Sequence, residues 1–119
     1  MTPRSATTTA ALLTAAALSQ AALAGVALAA EPPAPARQET LFRLLRQDCG
    51  SCHGLRLTGG LGPPLTAGAL RDRPREMLAA TVLRGRPGTA MPPWTAFLSE
   101  TEADWLVSEL IAGTVPDVR

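Results

Sequence analysis

Residues 49 to 54 read CGSCHG, and this stretch holds both cysteines and the single histidine of a 119-residue chain. Three chemistries use such residues. A thiol–disulfide exchange site would make Cys49 a nucleophile of lowered pKa. That function belongs in a βαβ setting, and no strand-like alternation of apolar and polar residues surrounds the motif. A zinc site wants four ligands, commonly with a second pair at matched spacing. Cys49, Cys52 and His53 supply three at most, and the adjacency of Cys52 and His53 is awkward for one ion. Covalent haem attachment uses all three. Two thiols one helical turn apart reach two vinyl groups along one porphyrin edge, and the imidazole that follows meets the iron from the same side. C-x-x-C-H is the sequence form of that geometry. It predicts one covalently bound haem c, with thioethers from Cys49 and Cys52 and with His53 on the iron.

The sixth position of the iron then needs a donor. No second histidine exists, and past the leader the thioethers are Met77 and Met91. Met77 lies in an arginine-rich helical pattern, where a methionine is ordinarily plain packing. Met91 lies in GTAMPPW, 38 residues after His53, where Pro92 and Pro93 stiffen the backbone. His/Met ligation is a recurring haem arrangement, so Met91 is the expected distal ligand. An open, five-coordinate iron that binds small gases is the alternative.

Elements must hold these residues in place. The chain starts with the basic MTPR, and Ala10–Ala30 is small or apolar almost throughout. Ala27-Leu28-Ala29 fits a small-x-small cleavage pattern, so residues 1–29 are expected to be a signal peptide and the mature protein periplasmic. Ala22-Leu23-Ala24 is a second cleavage candidate. The run also approaches the roughly 18 to 20 residues of a membrane-spanning helix, but Thr14, Ser19 and Gln20 interrupt it, and stable membrane insertion is not expected. EPPAPARQ, Glu31–Gln38, is proline-rich and predicts an extended, poorly ordered leader over residues 30–38. The domain proper is expected over 39–119. A first helix is predicted from about Glu39 into the cysteine motif, a second around Met77, Leu78, Thr81 and Val82, and a last one after Ser99. Ser99 with Glu102 forms a capping box, and Ala103, Leu106, Val107, Leu110 and Ile111 make one apolar stripe that Gly113 ends. The expected class is all-α, with three to four helices and long loops over 54–70 and 86–98. Loops of that length in so small a domain usually hold something.

Charge and core point the same way. Eleven arginines and no lysine face ten acids. Six arginines against two acids occupy Arg56–Arg86, and five acids against one arginine follow from Glu100. Near-neutrality argues against nucleic-acid binding, which needs a phosphate-neutralising excess. The unevenness could orient the protein toward a partner, or reflect solvated helix faces. With two phenylalanines, two tryptophans and no tyrosine, the chain is short of bulky core residues for its size. A cofactor at the centre would fill that gap.

CGSCHG, GPPL and AMPPW followed by FLSETEADWLVSEL make residues 39–113 resemble the class I c-type cytochromes. RQDCGSCHG, GGLGPPLT, GRPGTAMPPW and FLSETEADWLV are most similar to the small NirC-type monohaem cytochromes that accompany the dissimilatory nitrite reductase carrying haem c and haem d. The resemblance implies a small class I cytochrome c fold and a non-enzymatic, monomeric electron carrier. Its redox partners would be nitrite reductase and an upstream cytochrome donor. An accessory role in maturing the reductase's haem d is the alternative. It also implies that Pro63 accepts a hydrogen bond from the proximal imidazole, that Leu65 packs on the haem face and that Trp94, with Phe97, encloses the haem edge. Family members carry glycine eight residues before the first cysteine and an aromatic four before it. Leu41 and Leu45 stand there, so either the helix crossing is wider or Phe42 supplies the aromatic.

Overall fold

The computed structural model describes residues 30–116. The signal peptide expected over 1–29 lies outside the described residues.

The first helical stretch runs from 35 to 53 and is built in three parts. Helix α1 spans Pro35–Leu44, a π-helical turn follows at Leu45–Cys49, and α2 spans Gly50–His53. The start corrects the sequence expectation, which left residues up to Gln38 extended. Pro35 opens the helix because its fixed φ suits a first turn, where an N–H would have no partner anyway. Ala34 remains extended before it (φ −56°, ψ 149°).

The π turn has a geometric consequence. Steps of four residues overshoot a turn of α-helix and fall short of a π turn. Combining the two keeps Leu41, Leu45 and Cys49 on one side. Leu41 and Leu45 are 0% and 2% exposed, and Cys49 packs against the same core cluster. The leucines that depart from the family pattern are therefore core residues. Phe42 supplies the aromatic contact, its ring 5.1 Å from that of Trp105.

Helix α3 is a short turn at Ala67–Leu70, α4 spans Arg75–Arg84, and α5 spans Glu100–Ala112. The α3 turn shortens the loop expected over 54–70; Thr66 caps it through Ala69 N–H. The capping box at Ser99 is present in both directions, and Gly113 ends α5 in the left-handed region at φ 69°. Ala103, Leu106, Val107 and Leu110 are buried as their spacing predicts. Ala103 and Val107 meet Ala79 of α4, while Leu106 and Leu110 join Leu41, Leu45, Leu57, Leu70, Leu98 and Val115. Among the described residues there is no strand, and no helix is long and apolar enough to cross a membrane.

One ion pair ties the two ends of the fold. Arg37 of α1 donates from Nε to Glu102 Oε1 at 2.6 Å and from Nη2 to Oε2 at 3.1 Å, and Nη2 also donates to the Phe97 carbonyl at 3.1 Å. Glu102 Oε2 additionally accepts the Ser99 N–H at 2.9 Å. The Arg37 hydrogen bond, helped by the Ser99 N–H, pulls the Glu102 carboxyl from 4.5 down to about 2. A depressed carboxyl stabilises the fold above its unfolded pKa and loses that contribution as it protonates. Arg37→Ala should therefore cost about 1 kcal/mol near neutrality, the pair being part-exposed and screened. The gap to the wild type should close as pH falls from about 4.5 toward about 2. Thermal unfolding of both proteins across that range checks the sign.

Candidate functional site

The cysteine motif sits where the first helical stretch ends, and the backbone beyond it folds back on the motif at once. Gly54 has φ 87° and Gly59 φ 105°, values that favour glycine. Gly59 N–H donates to the His53 carbonyl at 2.8 Å, Gly62 N–H to the Cys52 carbonyl at 2.9 Å, and Gly60 N–H to the Gly62 carbonyl at 2.9 Å. This turn brings Pro63 to the imidazole. His53 Nδ1 lies 2.7 Å from the Pro63 carbonyl oxygen, which can only accept, so Nδ1 carries the proton and Nε2 is left as the free donor atom.

Gly62 is a site residue that the motif reading passed over. A Cβ there would stand 2.6 Å from His53 Cε1 and 2.7 Å from Nδ1. The imidazole is thus held between the Gly62 backbone and the Pro63 carbonyl. Glycine just before the proline of GPPL was the available signal. Leu57 was passed over too. It takes φ 56°, rare for a branched side chain, yet is 2% exposed. Such backbone costs about 1–3 kcal/mol unless the surroundings hold it. Burial of the side chain, and the Leu65 N–H on its carbonyl at 2.8 Å, hold it here.

Cys49 and Cys52 are half-buried and free of any disulfide. Burial first, then the Asp48 carboxylate, push the Cys49 thiol up to about 11. A nucleophile for disulfide exchange needs the reverse. Among the described residues no group of three or more His, Cys, Asp or Glu could hold a metal ion.

Across the chain, Met91 is half-buried in the loop between α4 and α5. Trp94 anchors that loop, its N–H reaching the Leu83 carbonyl at 3.1 Å at the end of α4. Trp94 is half-buried and packs on the main core cluster; Phe97, 5.7 Å away ring to ring, is 61% exposed and so is not a core residue. Leu65 is half-buried beside Leu57 and lines a cavity of about 140 Å³ with Leu110 and Val115. Met77 corrects its expectation as packing. It is 46% exposed on α4, an apolar side chain with no core to fill.

The donor set suits haem c. Two unpaired thiols stand one turn apart, next to an imidazole with a fixed tautomer and a free Nε2, on a glycine-lined wall that any side chain would block.

The family model described as cytochrome c oxidase, cbb3-type, subunit III matches residues 36–108. The chain belongs to this family of c-type cytochromes. Its cofactor is one covalently bound haem c, the group that the cysteine spacing and the family both require. The cytochrome is 64% identical over 87 residues to cytochrome c55X of Pseudomonas aeruginosa, covering 73% of each chain. It superposes on the solved c-type cytochrome NirC with a TM-score of 0.68 at 64% identity, covering 70% of this chain and 98% of that one. The helical architecture of the cytochrome is accordingly the class I cytochrome c fold. A more distant likeness, 37% identity over 67 residues, joins it to dihydro-heme d1 dehydrogenase of the same bacterium. There it covers 56% of this chain and 14% of the dehydrogenase.

Proposed function

We propose that this cytochrome is a periplasmic single-electron carrier that delivers electrons to a dissimilatory nitrite reductase. The observation that carries the reading is the His53–Pro63 contact at 2.7 Å. An imidazole whose Nδ1–H is held by the Pro63 carbonyl is oriented with Nε2 available to iron. Cys49 and Cys52 would hold the group by thioethers, and His53 and Met91 would ligate its iron. Leu65 and Trp94 pack around it.

Bound haem supplies one-electron chemistry, at a potential that a methionine ligand raises. The protein's part would be to supply two ligands to the iron, one from His53 and one from Met91. That arrangement leaves no position for substrate, which suits electron transfer rather than catalysis. A formal net charge of only +1 and small size fit a monomer that docks briefly, through an interface at the small end of the usual range.

The likeness to part of dihydro-heme d1 dehydrogenase favours a second reading. A domain of this type within an enzyme so named supports a role for the present protein in maturing haem d, as an electron acceptor or assembly accessory. Stopped-flow mixing decides between them. The reduced cytochrome, mixed with oxidised nitrite reductase, should be oxidised on the timescale of turnover. No oxidation there, together with a deletion strain whose reductase lacks haem d, would move the assignment to maturation.

A further inference from the structure

The loop that bears Met91 is closed on itself by two backbone hydrogen bonds and one side-chain hydroxyl. Thr89 Oγ1 donates to the Arg86 carbonyl at 2.7 Å and accepts from the Met91 N–H at 3.3 Å. The Thr89 N–H reaches the same Arg86 carbonyl at 3.1 Å, and the Arg86 N–H donates to the Met91 carbonyl at 3.1 Å. Both polar backbone groups of Met91 are therefore engaged by residues 86 and 89. Pro92 and Pro93 follow and have no N–H with which to anchor the chain on that side. Behind the loop stands buried Gly85, at φ 66°, where a Cβ would lie 2.6 Å from the Pro92 carbonyl carbon and 2.7 Å from the Met91 oxygen. The loop thus rests directly on the end of α4, with no space for a side chain between.

From this we infer that Thr89 is a positioning residue for the distal ligand: its hydroxyl sets the backbone from which the Met91 thioether reaches the iron. The inference rests on the reading of Met91 as that ligand. A thioether is a neutral and weak donor, so its hold on iron depends on how firmly the chain presents it. Partners that orient a ligand in this way influence ligation without touching the metal. Thr89 is exposed and belongs to neither core cluster. What it contributes is the hydroxyl.

The test uses the ferric holoprotein and imidazole as a competing ligand, titrated by its visible spectrum. Thr89→Val keeps the shape and removes the hydroxyl, and should bind imidazole about fivefold more tightly than the wild type, the equivalent of one net hydrogen bond. The far-red sulfur-to-iron charge-transfer band should weaken in parallel, while the haem content per chain stays the same. Thr89→Ser should restore wild-type behaviour. Wild-type imidazole affinity in Thr89→Val, or a serine variant that behaves like valine, overturns the inference. Thr89→Ala gives the same reading should the valine variant yield no holoprotein. Met91→Ala separates the two levels. If it leaves the charge-transfer band in place, Met91 is not the ligand. If it abolishes the band while Thr89→Val matches the wild type, the ligand stands and the role of Thr89 fails.

Discussion

A Gly62→Val protein should carry its haem and lose its grip on the iron from the histidine side. The Cβ of any residue at 62 falls 2.6 Å from His53 Cε1, well inside contact distance. The ring has little freedom to retreat. Its Nδ1 is bonded to the Pro63 carbonyl, and the backbone on both sides is pinned through the Cys52 and His53 carbonyls. Relief must come from rotating the imidazole, which breaks the bond to Pro63 and turns Nε2 away from its direction. Loss of an outer partner of a metal ligand commonly weakens ligation by about tenfold to a hundredfold, and displacement of the ring adds to that. The thioethers at Cys49 and Cys52 do not depend on the ring. Haem stain on a denaturing gel should match the wild type, while the ferric spectrum shifts toward high spin and the iron takes up external ligands. A low-spin spectrum indistinguishable from the wild type would remove the case for Gly62.

The second large effect lies in Cys52→Ala, which should cost most of the holoprotein and leave an apo chain largely unfolded. The described core explains why. Its main cluster consists of leucines and one valine, and the second adds two alanines and a valine. That is a modest apolar interior for a domain of this size. Phe97 and Met77 stay substantially exposed and contribute little. The haem adds apolar bulk that this interior lacks, and with one covalent tether gone fewer chains retain it. Haem yield per chain and far-ultraviolet circular dichroism measure the two halves of the claim. A cooperatively folded apo form would contradict it.

The parts of this protein written in local patterns are legible in the sequence. C-x-x-C-H declares its cofactor because three residues must meet one rigid group, and the spacing leaves few other uses. Helix α5 was equally plain, since its capping box, apolar stripe and terminal glycine all agree on one register. The start of α1 was hidden. A proline-rich run reads as extended until Pro35 is seen to occupy a first helical turn, and the Arg37–Glu102 pair that holds this turn lies 65 residues apart in sequence. Gly62 and Gly85 were hidden for another reason. Their value lies in what their missing side chains would strike, an imidazole in one case and the Met91–Pro92 backbone in the other. Met77 misled because helical spacing says which side of a helix a residue shares, but not whether that side finds a neighbour.

The turn from Cys52 to Pro63 joins its two ends over about ten residues, whereas Met91 returns from 38 residues beyond His53. Closing the longer circuit carries an entropic penalty greater by about 1 kcal/mol, before counting the helices that must first assemble. The two sides of the centre are consequently unequal in the order of folding. The imidazole side can be made by a chain that has organised little else, and the thioether side, on the proposed ligation by Met91, would close only on a chain that has finished.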